Sequence, residues 1–422
     1  MVMQLNKNRK YNKAKILKQL CVFAALHVTS LFITVSAVAN TESNVALTTT
    51  QPIATALIEA PVIEAKAYIL MDANNGQVLA QSNADERLAP ASLTKIMTSY
   101  VIGQFLANNK IGQDDVVTIS QNAWVRGNPA LKGSSLMFLE PNQKVSVLDL
   151  NLGLVVQSGN DAAIALAEYI SGTQEAFIDL MNQYAQQLKL QNTHFKTVHG
   201  LDMDGQYSTA RDMALLSQAL INHLPEEYAL NKIKEFTYGG IRQENRNRLL
   251  WSKTLNVDGL KTGHTSGAGY NLVSSAYNET GMRLIAVVFG TESDKKRFDE
   301  SEKLLSWGFR TFESLPVLKA NQPLLTQKVW FGDVSEVQLG LVEDAVVTFP
   351  RGQANQLKAT QTLDYPNLEA PLAQNQVVGK VTIRLGEQIV SEQPLVVLTP
   401  VEPGGFFSRL WDFIVLKVSS WF

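Results

Sequence analysis

The segment from Leu88 to Tyr100, "LAPASLTKIMTSY", carries a hydroxyl at Ser92 and an amine at Lys95, one helical turn apart and surrounded by apolar residues. Residues three apart share a helix face, so the two can meet as nucleophile and base. A serine attacks a carbonyl only when a neighbour takes its proton, and a lysine can take it only when uncharged. Free lysine titrates at about 10.4, and bringing it to about 7 or 8 demands roughly 4 kcal/mol from burial and a nearby positive charge. The apolar neighbours offer the burial, and Pro90 is placed to start the helix with Ser92 at its positive end. Alone, S-x-x-K is common by chance. Two further strings change its weight. "QSGNDAA" sets Ser158, Gly159 and Asn160 in a break just ahead of a helix, and "VDGLKTGHTSGAGY" ends a predicted strand with Lys261, Thr262 and Gly263. Taken singly, the first is an N-cap turn and the second a polar loop before a hairpin. In this order and at these separations, the three strings add a second hydroxyl, an amide and a second cation to the first pair.

Such groups need a scaffold, and the pattern around them describes one. "AKAYILMDANNGQVLA" reads as strand, Asn75-Gly76 turn, strand. From about Thr94 to Leu230 apolar residues recur at three and four, as in "VLDLNLGLVVQSGNDAAIALAEYI" and "ARDMALLSQALINHL", which predicts helices. "GYNLVSSAY", a turn at Glu279 to Gly281 and "MRLIAVVFG" predict adjacent antiparallel strands, and "RFDESEKLLSWGFRTFE" an amphipathic closing helix. These elements make an α/β (α+β) domain over 40–314, with an antiparallel sheet and a helical subdomain. Over 315–400 short alternating runs split by Pro, Gly and Asn predict a small all-β sandwich. In the final segment, 401–422, Phe407, Leu410, Trp411, Ile414, Val415, Val418, Trp421 and Phe422 share one helical face, with Arg409, Asp412, Ser419 and Ser420 opposite and Leu416 a misfit. This suits an amphipathic helix lying in a membrane interface; the alternative is a terminal helix docked on its own domain, which the two glycines before it would loosen.

At 422 residues the chain exceeds one ordinary domain, and 37 basic against 39 acidic residues leave a net charge of -2, which gives no reason to expect a nucleic-acid partner. Residues 1–39 have a basic start, an apolar middle and a small-residue end, the layout of a secretory signal cleaved after Ala39; an uncleaved anchor is the alternative. The single cysteine, Cys21, lies inside that segment without a lipobox context. The mature chain is therefore expected to be exported and to hold together without disulfides.

"SLTK", "SGN" and "KTGHT" resemble the three motifs of the penicillin-recognising serine enzymes. The middle motif is Ser-Gly-Asn where class A β-lactamases carry Ser-Asp-Asn, and this form is similar to that of the low-molecular-mass D,D-carboxypeptidases of serine peptidase family S11. "NTHFKTVHGLDMDGQYSTARDMALL", "VWFGDVSEVQLG" and "GGFFSRLWDF" extend the likeness to the group typified by penicillin-binding proteins 5 and 6. The resemblance implies a serine β-lactamase/transpeptidase-like domain that trims the terminal D-alanine from peptidoglycan stem pentapeptides, binds β-lactams and serves cell-wall remodelling and cell shape from the periplasmic face of the inner membrane. It also implies roles. Ser92 attacks the carbonyl and Lys95 takes the proton, while the backbone N–H groups of Ser92 and His264 form the oxyanion hole. Ser158 relays a proton to the departing D-alanine, and Asn160 holds the substrate amide and Lys95. Lys261 supplies positive charge that keeps Lys95 neutral and attracts the terminal carboxylate, which Thr262 hydrogen-bonds. Gly263 lets the peptide lie along the strand. Arg297 is a second carboxylate ligand or else a solvated charge at a helix start.

No cofactor is implied. His194 and His199 lack metal-site spacing and read as structural loop residues. "EYALN" from Glu227 mimics the string that brings the deacylating glutamate of class A β-lactamases, but it lies too near Lys261 and too far after Ser158 for that role.

Overall fold

The structure, a computed structural model, describes residues 59–419. The predicted signal segment with Cys21, and Ser420, Trp421 and Phe422 of the predicted terminal helix, lie outside the described residues. β1 (Ala67–Asp72) and β2 (Val78–Ser82) form the predicted hairpin, turning through Gly76 at φ +74°, a conformation free of strain only without a Cβ. Then come α1 (Thr94–Ala107), the small hairpin β3 (Val116–Thr118) and β4 (Lys144–Ser146), α2 (Val147–Leu152), α3 (Asn160–Ser171), α4 (Gln174–Gln187), α5 (Ala210–His223) and α6 (Pro225–Tyr228). A second small hairpin, β5 (Glu235–Tyr238) and β6 (Ile241–Glu244), precedes the long strands β7 (Asn256–Thr265), β8 (Gly269–Tyr277) and β9 (Arg283–Thr291), and α7 (Asp294–Thr311) follows.

The main sheet is antiparallel in the order β2-β1-β9-β8-β7. Its two faces follow from side-chain alternation along the strands. Ile69, Met71, Ile285, Val287 and Phe289 enter one core, shared with α1, α3 and α5. Tyr68, Leu70, Leu284, Ala286 and Val288 enter another, closed by Phe298, Leu304 and Leu305 of α7. Helices therefore cover both faces. Within the first core α1 is buried at every position from Thr94 to Gly103, as expected of a helix apolar nearly all round. Lys95 is carried into that core with it.

β10 (Phe312–Leu318) follows α7 directly and pairs with β13 (Ala345–Pro350). A six-stranded sheet, in the order β14-β16-β17-β12-β11-β15, uses β11 (Leu325–Trp330), β12 (Glu336–Gly340), β14 (Leu357–Leu363), β15 (Leu368–Glu369), β16 (Val377–Leu385) and β17 (Gln388–Val397). The two sheets enclose a core that includes Val347, Phe349, Leu395 and Val397, in line with the predicted sandwich. Thr348 Oγ1, fully buried on β13, donates to Asp72 Oδ2 (2.6 Å) and accepts from Asn75 Nδ2 (2.8 Å), which fastens the first hairpin to this sandwich.

α8 (Phe406–Ser419) ends the described chain. Asp412, on its polar side, accepts from Phe331 N (2.7 Å), while Phe407 and Trp411 are 84% and 67% exposed. The glycines ahead of it differ from expectation. Gly404 donates its N–H to Phe331 O (2.8 Å), and a Cβ there would strike the Gly332 carbonyl; only Gly405 has open space around it.

Candidate active site

Pro90 introduces a 3-10 turn, Ala91–Leu93, which runs on into α1. Ser92 sits in that turn, and Lys95, in the first turn of α1, is 1% exposed. Lys95 Nζ lies 3.1 Å from Ser92 Oγ, 2.6 Å from Asn160 Oδ1 and 2.7 Å from the His199 carbonyl oxygen. The last two atoms can only accept. A neutral amine has two hydrogens and one lone pair, so it donates to Asn160 and His199 and presents its lone pair to the Ser92 hydroxyl. The charged amine would donate to all three oxygens; the neutral one is placed to take the Ser92 proton. Burial draws the Lys95 amine down to about 7, with Asp161 opposing and the Arg246 guanidinium adding to the fall.

The second motif is held by a tight local structure. Ser146 caps α2 by accepting from Asp149 N, and a wider, π-type turn over Gly153–Gln157 follows. It ends at Ser158, whose φ of +67° is left-handed, and α3 begins at Asn160. A non-glycine residue in that conformation costs about 1–2 kcal/mol, and such strain persists where the surroundings enforce it. Here they do. Asn160 N donates to Ser135 O (2.8 Å), and the Asp161 carboxylate accepts from the backbone N–H of Met137 (2.9 Å), Leu139 (3.1 Å) and Ala162 (2.9 Å). Ser158 Oγ itself is buried and has no hydrogen-bond partner among the described residues, which leaves it available to a bound ligand.

Lys261, Thr262, Gly263 and His264 lie within β7, short of its end. Lys261 and Lys95 line one cavity of about 10 Å³, so the third motif does face the first. Lys261 Nζ donates to Thr262 O (3.1 Å). Its amine is drawn well below the ordinary lysine value by burial and by the charges of Lys95, Arg246 and Arg297. The charges of Lys95 and Lys261 disfavour each other, and Arg246 disfavours both. Gly263 also has a packing reason. A Cβ there would come 2.9 Å from Pro90 O and 3.2 Å from Leu93, so the glycine lets β7 press against the turn that carries the nucleophile. The His264 ring stacks on Tyr270, with centroids 4.0 Å apart. Arg297 is buried rather than solvated: it pairs with Asp294 and donates Nη1 to Gly263 O (3.1 Å), bracing β7, while its Nε has no partner.

Several contributors carry no motif. The His199 carbonyl enters the site, and Gly200, at φ +89°, leaves room where a Cβ would overlap the Ala91 carbonyl. The His199 ring is structural, accepting from Leu201 N (3.2 Å), and burial followed by the Lys95 charge holds it down to about 3. Glu227 is buried behind α1, where Ser99 and Asn151 (2.7 Å) donate to its carboxyl. That environment gives it no path to an acyl group on Ser92. The contact of Lys95 with the His199 carbonyl could not be found from residue type, and the histidines of this segment were read only as structural.

Residues 54–293 match the family model described as D-alanyl-D-alanine carboxypeptidase, and residues 312–403 match penicillin-binding protein 5, C-terminal domain. The chain is 60% identical over 365 residues to D-alanyl-D-alanine carboxypeptidase DacC of Escherichia coli, covering 86% of this chain and 91% of that one. Penicillin-binding protein 5 from Haemophilus influenzae superposes with a TM-score of 0.79 at 50% identity, covering 82% of this chain and 99% of that one. Penicillin-binding protein D2 from Listeria monocytogenes, in its ampicillin-bound form, matches with a TM-score of 0.51 at 31% identity over 60% of this chain and 100% of that one. With its motifs brought together on this fold, the chain belongs to the D-alanyl-D-alanine carboxypeptidase family of serine peptidases.

Proposed function

We propose that the chain is a serine D-Ala-D-Ala carboxypeptidase that removes the terminal D-alanine from peptidoglycan stem pentapeptides. The observation that carries this reading is the Lys95 amine, whose two acceptor-only neighbours leave a lone pair for Ser92 Oγ, 3.1 Å away. Lys95 takes the hydroxyl proton as Ser92 Oγ bonds to the carbonyl carbon between the two D-alanines. The oxyanion is held by the N–H groups of Ser92 and His264. The terminal carboxylate reaches Lys261 and Thr262, and its charge favours the protonated form of Lys261. Collapse breaks the C–N bond, the proton passes through Ser158 to the leaving nitrogen, and Asn160 keeps Lys95 in register. Water, deprotonated by Lys95, then releases the acyl group. β-Lactams acylate Ser92 by the same first step; the ampicillin-bound form of a relative supports this.

The same reading divides the chain into an export signal over 1–39, a catalytic domain over 40–314, a β-sandwich over 315–400 and an anchor over 401–422. Among the described residues no helix is long and apolar enough to cross a membrane. The aromatic side chains that α8 leaves exposed, with Asp412 turned to the protein, support peripheral attachment to the periplasmic face of the inner membrane. The purified chain without its signal should release D-alanine from an acyl-D-Ala-D-Ala peptide, and mass spectrometry after penicillin treatment should find the added mass on Ser92. Ser92→Ala should lose both; release by that variant would refute the assignment.

A further inference from the structure

An open groove of about 710 Å³ is lined by Gln157, Arg246, Arg248, Trp251, Asp294 and Arg297, among others. Gln157 immediately precedes Ser158, and Arg297 donates to the carbonyl of Gly263. The groove therefore adjoins the catalytic cleft on the side of Ser158, Lys261 and Thr262, where the proposed reaction sends the leaving nitrogen and the terminal carboxylate. A terminal D-alanine offers only a methyl group to fill it.

Its charge is unbalanced. Asp294 is paired with Arg297 and, at 3.3 Å, with Arg248. Glu244 lies 3.6 Å from Arg242, which is not part of the groove wall. Arg246 donates Nε to Gln157 O (3.1 Å), and its two terminal nitrogens have no hydrogen-bond partner among the described residues. Lys234 lies 5.6 Å from the ring of Trp251 and adds positive charge at that rim. An unpaired guanidinium fork beside a half-exposed indole suits a carboxylate on an aliphatic stem.

We propose that this groove is a subsite for the side chain of the departing residue, so that the chain hydrolyses acyl-D-alanyl-D-amino acids whose terminal residue bears a long side chain ending in a carboxylate. The inference rests on the carboxypeptidase reading and deepens it. The bond broken and the proton transferred are those of D-alanine release; the departing amine alone differs. Arg246 and Arg248 receive the side-chain carboxylate, and Trp251 covers its stem.

Three peptides test it on the purified chain: acyl-D-Ala-D-Ala, acyl-D-Ala-D-Glu and acyl-D-Ala-D-Gln, the last two differing only in side-chain charge. At low salt, kcat/KM for the D-Glu peptide should exceed that for the D-Gln peptide by about fivefold. Arg246→Ala and Arg248→Ala should each bring that ratio toward one, whatever they do to the absolute rates. A ratio near one in the unmodified protein, or a preference that survives both substitutions, overturns the subsite while release of D-alanine from the first peptide leaves the carboxypeptidase reading standing. Failure to cleave any of the three removes both.

Discussion

A lysine becomes a useful base near neutral pH by losing access to water, and Lys95 shows what that takes. Its surroundings are dry, two acceptors claim its hydrogens, and burial outweighs Asp161, whose charge counters it by more than Arg246 adds to it. The neutral amine is the working form, so kcat/KM on a D-Ala-D-Ala peptide should fall as pH drops through about 7, tenfold per unit below it. Asp161→Asn removes the opposing charge and should move that limb to lower pH; a pH–rate series on both proteins checks it, and a limb that stays put would show that Asp161 has no electrostatic part. Ser92, Lys95, Ser158, Asn160, Lys261 and Thr262 could be proposed from the sequence because their chemistry resides in side chains at fixed spacing. The His199 carbonyl was not, since every residue has one. Arg246 was missed because long-range charge leaves no local pattern.

Between elements, the site depends on α1 keeping its place beside the turn that ends at Ser158. Glu227 spans them, receiving one hydrogen bond from Ser99 on α1 and one from Asn151 on α2. Burial pushes its carboxyl up to about 7, the two hydrogen bonds opposing. Because this lies above the ordinary glutamate value, the stability it contributes is full below about 4.5 and is lost as pH rises through about 7. Glu227→Gln imitates the protonated acid: its amide can donate to Ser99 Oγ and accept from Asn151. Relative to the unmodified protein it should gain stability between pH 5 and 8, on the order of 3 kcal/mol. Paired thermal melts across that range measure it, and a constant offset would mean that Glu227 titrates as an ordinary surface acid. The hairpin, the helical region and the closing helix followed from periodicity and turn residues. The order of strands did not: β9 enters between β1 and β8, and the alternation that buries both its faces is the same whichever neighbours it takes.

For the molecule as a whole, the proposed attachment through α8 would set where catalysis occurs. Asp412 and Gly404 bind it to the Phe331–Gly332 turn while Phe407 and Trp411 stay exposed. Removing residues after Glu402 should leave turnover of a soluble peptide within about twofold and release the protein from membranes or lipid vesicles. Co-sedimentation measures this, and undiminished sedimentation would place the anchor elsewhere. The amphipathic pattern was readable in the sequence; the docking of its polar side was not, since Asp412 answers a backbone N–H more than eighty positions upstream. The proposed catalytic centre is just as scattered, with Ser92, Asn160, His199 and Lys261 arriving from four distant stretches of chain. No fragment or half-collapsed intermediate can assemble it, so a covalent tag on that serine would double as a head count of native molecules, blind to every chain still on its way.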